Sequence, residues 1–225
     1  MSTKEVPTRL EEIFPRWETL TMEQQSKLNN SVKERRFIKG QCLHQGGQDC
    51  TGLYLVKNGQ LRVFILSETG KEVTLYRLFA WDICLFSASC IMKNISFDLH
   101  VEAEKDTDAF IVPADIYERL MKSSLPVSDY TNQLMASRFS DIMWIMEQLL
   151  FTSFDSRLAA FLLEQSVIEQ SEVLIVTHDE IARHMGSARE VVTKMLNYLA
   201  SEGAVRLSRG KITLIDTEKL QGLIQ

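Results

Sequence analysis

The stretch Thr177-His-Asp-Glu-Ile-Ala-Arg-His-Met-Gly-Ser-Ala-Arg-Glu-Val-Val-Thr-Lys-Met-Leu196 decides how the chain is read. Thr177 and Glu180, and again Ser187 and Glu190, have the spacing of a capping box, in which the hydroxyl accepts from the third helical amide and the carboxylate reaches back. Two helix starts so close together leave room for one short helix and a tight turn. Ala182 has the small side chain needed where two helices touch, Gly186 fits the turn, and Val192 points back toward Ile181 and Met185. This is helix-turn-helix spacing. The second helix, from Ser187 to about Ala200, is expected to bury Val192, Met195, Leu196 and Leu199, leaving Arg189, Glu190, Thr193 and Lys194 on its exposed first half. Arg can fork onto guanine O6/N7, Glu can accept from cytosine N4, Thr can touch a methyl or phosphate, and Lys can reach a guanine or phosphate. A solvated polar face with an adjacent Arg/Glu pair would use the same residues; the turn spacing and the basic hairpin beyond it favour DNA.

Downstream, Leu199-Ala-Ser-Glu-Gly203 ends that helix with Gly past the C-cap. Val205-Arg-Leu207 and Ile212-Thr-Leu-Ile215 then flank Ser208-Arg-Gly-Lys211, a hairpin with a basic tip. Upstream, Phe154-Asp-Ser-Arg157 opens a helix with Asp155 as its N-cap. Before it, Leu134, Ile142, Ile145, Met146 and Leu149 recur at three- and four-residue spacing over roughly 25 residues without Gly or Pro, which predicts one long helix. Phe139, Met143, Trp144 and Leu150 add apolar surface to it. The helix either packs wholly within its own chain or packs on a β domain on one side and a second copy on the other. The second arrangement is preferred, with Leu134, Ile142, Ile145 and Leu149 as dimer positions.

Further back, turn residues concentrate between about residues 38 and 75. Leu53-Tyr-Leu-Val56 and Leu61-Arg-Val-Phe-Ile65 are separated by Lys57-Asn-Gly-Gln60, where Asn-Gly predicts a tight hairpin. Glu68-Thr-Gly-Lys71 leads into Val73-Thr-Leu-Tyr-Arg-Leu78, Phe97 to Ala103 alternates with period two, and Ala109-Phe-Ile-Val112 closes the series. Short strands at regular spacing predict a compact barrel or jelly roll. The expected fold class is therefore α+β, with a β-roll domain and flanking helices over 1–125, a long helix over 126–153 and a winged helix-turn-helix over 154–225.

At 225 residues, with 45% hydrophobic and 24% charged side chains, the chain is neither disordered nor fibrous and has a core to bury. No export signal or stretch of roughly 18 uninterrupted apolar residues is present, so a cytoplasmic protein with no membrane contact and reduced cysteines is expected. The net charge of −5 argues weakly against nucleic acid, but from Arg183 to Lys211 there are six Lys/Arg against two Asp/Glu. The basic surplus is local to the motif.

In this order of elements, and above all in Ile181 to Leu196, nearly the whole chain resembles the cyclic-AMP receptor protein/FNR (Crp/Fnr) family of bacterial transcription regulators. The resemblance implies a cyclic-nucleotide-binding-like β-roll, a homodimer, a palindromic operator in double-stranded DNA, and RNA polymerase as partner. It places Arg189 and Glu190 on base-reading positions and Lys194 on the following basic contact, with Thr177, Gly210 and Lys211 at the phosphates; Ser187 and Arg209 are further phosphate candidates. Val191 stands where a Thr is frequent and Ala188 where a Ser is, and neither offers a hydroxyl to a phosphate. The effector stretch departs from the family. Members that bind cyclic AMP carry a Gly-Glu pair and an Arg-Ser pair in the β-roll, and Asp82-Ile-Cys-Leu-Phe-Ser-Ala-Ser-Cys-Ile-Met-Lys-Asn-Ile-Ser-Phe-Asp-Leu-His100 has neither. Ile142 and Met143 fall where the helix would meet the base. Cyclic AMP is not the expected ligand.

An unknown small-molecule effector would instead meet Leu85, Phe86, Ser87, Phe97 and Leu99 facing Arg138, Ile142 and Met146. An iron–sulfur cluster is not expected, because the first 41 residues hold no cysteine. Cys84 and Cys90 could form a thiol switch, or join His100 at a haem or metal, but buried packing is the commoner role. The histidines show no metal spacing. The expectation is a DNA-binding regulator and not an enzyme; the alternatives are a redox sensor of the same fold using Cys84 and Cys90, or a cupin-like β-roll enzyme, for which the metal ligands are missing.

Overall fold

The computed structural model of the chain describes residues 6–46, 52–85 and 98–224. Two units emerge, one of Met1–Leu66 with Leu75–Ile142 and one of Ser67–Thr74 with Met143–Gln225.

The first unit opens on helices α1 (Leu10–Ile13) and α2 (Met22–Ser31). Thr21 starts α2 with a capping box, its hydroxyl accepting from the Gln24 amide while the Gln24 side chain accepts from the Thr21 amide. Among the described residues eight strands follow: β1 (Lys33–Phe37), β2 (Cys42–Gln45), β3 (Leu53–Asn58), β4 (Leu61–Leu66), β5 (Glu72–Leu78), β6 (Ile83–Cys84), β7 (His100–Ala103) and β8 (Thr107–Val112). They form two four-stranded sheets, ordered β1-β8-β3-β6 and β2-β7-β4-β5.

This topology corrects one expectation. Although β4 and β5 are neighbours across the Glu68–Lys71 turn, β3 and β4 lie in different sheets, so Asn58-Gly59 turns the chain from one sheet to the other and closes no hairpin. Gly59 has φ +95°, and a Cβ there would stand 2.2 Å from the Asp106 carbonyl oxygen. Glycine is required both by the left-handed backbone and by this close approach. The approach is fixed by Thr107, whose hydroxyl accepts from the Gln60 amide at 3.0 Å.

In the first sheet Leu53 lies opposite Val112 and Leu55 opposite Phe110. Their shared face packs with Leu10, Ile13, Leu28, Tyr117, Leu120 and Val127, so the amphipathic helices bury one side of the sheet. Helices α3 (Ala114–Ser123) and α4 (Leu125–Phe151) complete this part of the chain. The Thr131 hydroxyl donates to the Val127 carbonyl at 2.7 Å and lies 2.7 Å from the Tyr117 hydroxyl, which ties α3 to α4.

The second unit contains α5 (Phe154–Glu169), β9 (Val173–Leu174), α6 (His178–Met185), α7 (Arg189–Ser201), β10 (Val205–Ser208), β11 (Lys211–Leu214) and α8 (Thr217–Gln221). Its core gathers Leu158, Phe161, Leu162, Leu174, Ile181, Leu196, Leu199, Ile212 and Leu220. Here α5 starts two residues earlier than the sequence suggests: Ser153 is its N-cap and Asp155 stands in the first turn. A hydrogen bond from the Ser153 side chain, and then the Ser156 and Asp155 amides, hold the Asp155 carboxyl below its ordinary value. The basic hairpin forms as expected, with Ser208 opposite Lys211, and β9 adds a third strand in the order β10-β11-β9. Among the described residues no helix is long and apolar enough to cross a membrane.

Candidate DNA interface

Helix α6 begins with the predicted capping box. The Thr177 amide donates to the Glu180 carboxylate at 2.7 Å and the Glu180 amide to the Thr177 hydroxyl at 3.2 Å. It ends at Gly186 in the left-handed region at φ +64°, whose amide returns to the Ala182 carbonyl. The second predicted box does not form. Ser187 sits in the turn with its amide bonded to Ala182, Ala188 is the N-cap, and α7 starts only at Arg189. Ser187 and Glu190 have the right spacing for a helix that starts one residue earlier than this one does.

Ile181, Ala182 and Met185 of α6 are buried with Val192, Leu196 and Leu199 of α7, and Met195 is partly buried against them. At roughly 1.5–3 kcal/mol per fully buried aliphatic side chain, this face fixes how α7 lies on its partner helix. The opposite face of α7 presents Arg189, Glu190 and Lys194 to solvent. Thr177 and the hairpin tip residues Arg209, Gly210 and Lys211 are exposed, while Ser187 is half-buried.

Thr193 is also half-buried, and its hydroxyl is 2.8 Å from Nδ1 of His178. The hydroxyl of this candidate base-reading residue therefore already has a partner on α6. The neighbouring Asp179 places a carboxylate oxygen 3.4 Å from the Arg189 guanidinium. Sequence reasoning missed both residues, since the capping motif puts them in the first turn of α6 but carries no sign of contacts ten and fifteen residues away.

In the β-rich unit Leu85 and Leu99 are buried, whereas Phe86, Ser87, Cys90 and Phe97 lie outside the described residues. Arg138 is held by Asp141 at 3.0 Å and stands 4.6 Å from the centre of the Tyr76 ring. Burial, and then the nearby Cys84, drive the Tyr76 hydroxyl well above its ordinary pKa, with Arg138 opposing them. On the second sheet Arg62, only 2% exposed, faces Glu102 and covers the Phe64 ring at 4.0 Å, while Phe64 stacks on His100 at 5.2 Å. Arg77 grips Glu104 at 2.9 Å, and the Gln60 amide adds a bond of 2.6 Å. This polar layer was not legible in the sequence, where Arg62 and Arg77 read as ordinary strand residues. Cys84 is fully buried in β6. Among the described residues no group of three His, Cys, Asp or Glu is arranged to hold a metal ion.

On α4, Leu134 packs against the core of its own chain, a correction to its expected place in a dimer seam. Ile142 and Ile145 are half-buried. The exposed stripe is instead Phe139, Met143, Met146 and Leu150, at spacings of four, three and four, flanked by Trp144 and Leu149.

Comparison with known proteins agrees with this architecture. Residues 34–124 match the cyclic nucleotide-binding domain and residues 156–223 the Crp-like helix-turn-helix domain. The chain is 32% identical over 182 residues to the transcriptional regulator SdrP of Thermus thermophilus, covering 76% of this chain and 83% of that protein. It is 26% identical over 189 residues to the cyclic AMP receptor protein of the same organism, covering 84% and 87%. A crystal structure from Eubacterium rectale, described as a regulator of the crp/fnr family, superposes with a TM-score of 0.93 at 53% identity, covering 95% of this chain and 99% of that one. These relatives are transcription regulators and not enzymes. The chain belongs to the Crp/Fnr family of DNA-binding transcription regulators.

Proposed function

We propose that the chain works as a homodimer that reads a two-fold, interrupted palindrome through a pair of α7 helices about one helical turn apart. The observation that carries this reading is the two-sided α7: Val192, Leu196 and Leu199 anchor it while Arg189, Glu190 and Lys194 stand exposed on its first half. In this reading Arg189, Glu190 and Lys194 read base edges, and Thr177, Ser187, Arg209, Gly210 and Lys211 hold phosphates. The dimer forms along the exposed stripe of α4. The working division is a sensing domain over 1–125, a dimerisation helix over 126–153 and a DNA-binding domain over 154–225.

The effector is a small molecule other than cyclic AMP, held by apolar residues such as Leu85 and Leu99 with Arg138 and Ile142. Supporting this, the stretch from Asp82 to His100 lacks the Gly-Glu and Arg-Ser pairs, and Ile142 and Met143 are apolar. The effector acts by binding the DNA-competent state more tightly than the other. RNA polymerase is the proposed partner and the cytoplasm the proposed location. No observation favours the redox alternative, since a fully buried Cys84 has the setting of an inert thiol.

The test is a selection of preferred duplexes from a randomised pool by the wild-type chain, followed by binding of the Arg189→Ala variant. Loss of a forked contact to guanine lowers preference for the selected duplex over a scrambled one by about ten- to a hundredfold. Undiminished preference overturns the assignment of α7 as the reading helix.

A further inference from the structure

The first turn of α6 reaches the reading face of α7 at two points, from two adjacent residues. His178 meets Thr193 at 2.8 Å and Asp179 meets Arg189 at 3.4 Å. Arg189 and Thr193 are four residues apart on α7 and so lie one above the other on a single face. We propose that His178 and Asp179 are specificity-determining positioning residues, acting on base choice through Thr193 and Arg189. The proposal rests on α7 being the reading helix.

The two contacts do different work. His178 and Thr193 are both half-buried, so their bond fixes the rotation of α7 about its own axis beyond what its apolar face achieves. An apolar face tolerates small rolls, whereas a bond between Nδ1 and a hydroxyl does not. The Asp179–Arg189 pair is open to solvent, with side-chain exposures of 61% and 63%, so it adds little to stability. Its consequence is for binding. An unrestrained arginine loses rotamer freedom when it docks on a base, and a guanidinium already held across the helix pair loses less. The carboxylate also disfavours phosphate near Arg189, which penalises the non-specific mode in which that guanidinium would lie on the backbone.

The test uses the full-length chain and the duplex that the wild type selects, with a scrambled duplex of equal composition at one fixed salt concentration. Asp179→Asn is the first variant, because its site is exposed and folding is not at stake. The ratio of scrambled to selected Kd is expected to fall by about three- to tenfold, with binding to the scrambled duplex becoming tighter. A merely structural role would not tighten scrambled binding. For the second contact, His178→Ala and Thr193→Val each lower the ratio, their combination lowers it no further than either alone, and His178→Asn, whose amide can take the place of Nδ1, restores it. Melting temperatures for each variant separate altered reading from lost fold. An unchanged ratio in Asp179→Asn and His178→Ala, or a double variant equal to the product of the singles, overturns the positioning role. If Arg189→Ala keeps the wild-type ratio, the failure lies in the reading of α7, and the proposal falls with it.

Discussion

Tyr117 is fully buried where α3 meets α4, and its hydroxyl has a defined direction. Because Thr131 donates its own proton to the Val127 carbonyl, the Thr131 oxygen is left to accept from Tyr117. Burial pushes the Tyr117 hydroxyl up to about 12, against an ordinary value of 10. A raised value for a group that is neutral when protonated means that the stabilisation is complete below pH 10 and is lost as the pH climbs from 10 toward 12. The loss is on the order of 2 kcal/mol. Tyr117→Phe is expected to cost about 1 kcal/mol at pH 8, the net worth of one hydrogen bond, and to remove this part of the alkaline loss. Urea unfolding of both proteins at pH 8 and pH 11 checks it. Parallel falls in stability for wild type and variant would show that another group titrates.

At the scale of elements, what is set by local periodicity was legible and what is set by distant pairing was not. The helix-turn-helix stood out because its Ala, Gly and Val occupy positions that packing restricts whatever surrounds them. The basic hairpin followed from its two short strands and its Arg209-Gly210 tip. Asn58-Gly59 misled because a left-handed turn serves equally to close a hairpin or to pass between sheets, and only the partners of β3 and β4 distinguish the two. Helix α4 was legible as a helix, but not as to which side faces what. Leu134 and Phe139 are equally apolar letters, yet Leu134 meets the core of its own chain while Phe139 is 65% exposed. The exposed stripe is where the proposed dimer contact would lie. Leu150→Asp changes a side chain of a residue 62% exposed in the single chain, so folding is spared. Across a two-fold contact the change counts twice, and dimerisation should weaken by at least about a hundredfold. Sedimentation velocity reads this directly, and a variant that stays dimeric at the wild-type concentration dependence moves the contact away from this stripe.

For the whole molecule, the charge of −5 and the affinity for a polyanion are reconciled by local arrangement, and salt dependence measures that arrangement. Each phosphate neutralised by a lysine or arginine releases condensed counterions, so the logarithm of affinity falls with the logarithm of salt at a slope of about −0.9 per contact. Lys211 is exposed beside the tip of the hairpin and is assigned to a phosphate, whereas Lys122 pairs with Glu118 on α3, in the other unit. If one chain binds DNA, Lys211→Gln removes one contact and flattens the slope by about 1; if a symmetric dimer binds, the same substitution removes two and flattens it by about 2. The dimer therefore predicts the larger change for Lys211→Gln and none for Lys122→Gln. With Lys211 on a phosphate, as proposed, and on no base, the ratio between selected and scrambled duplexes should stay as it is while both affinities fall. Titrations of wild type and the two variants from about 50 to 200 mM salt span a range in which such contacts change affinity strongly. A slope change near 1 would point to a single chain on the DNA, and an unchanged slope would remove the hairpin tip from the interface.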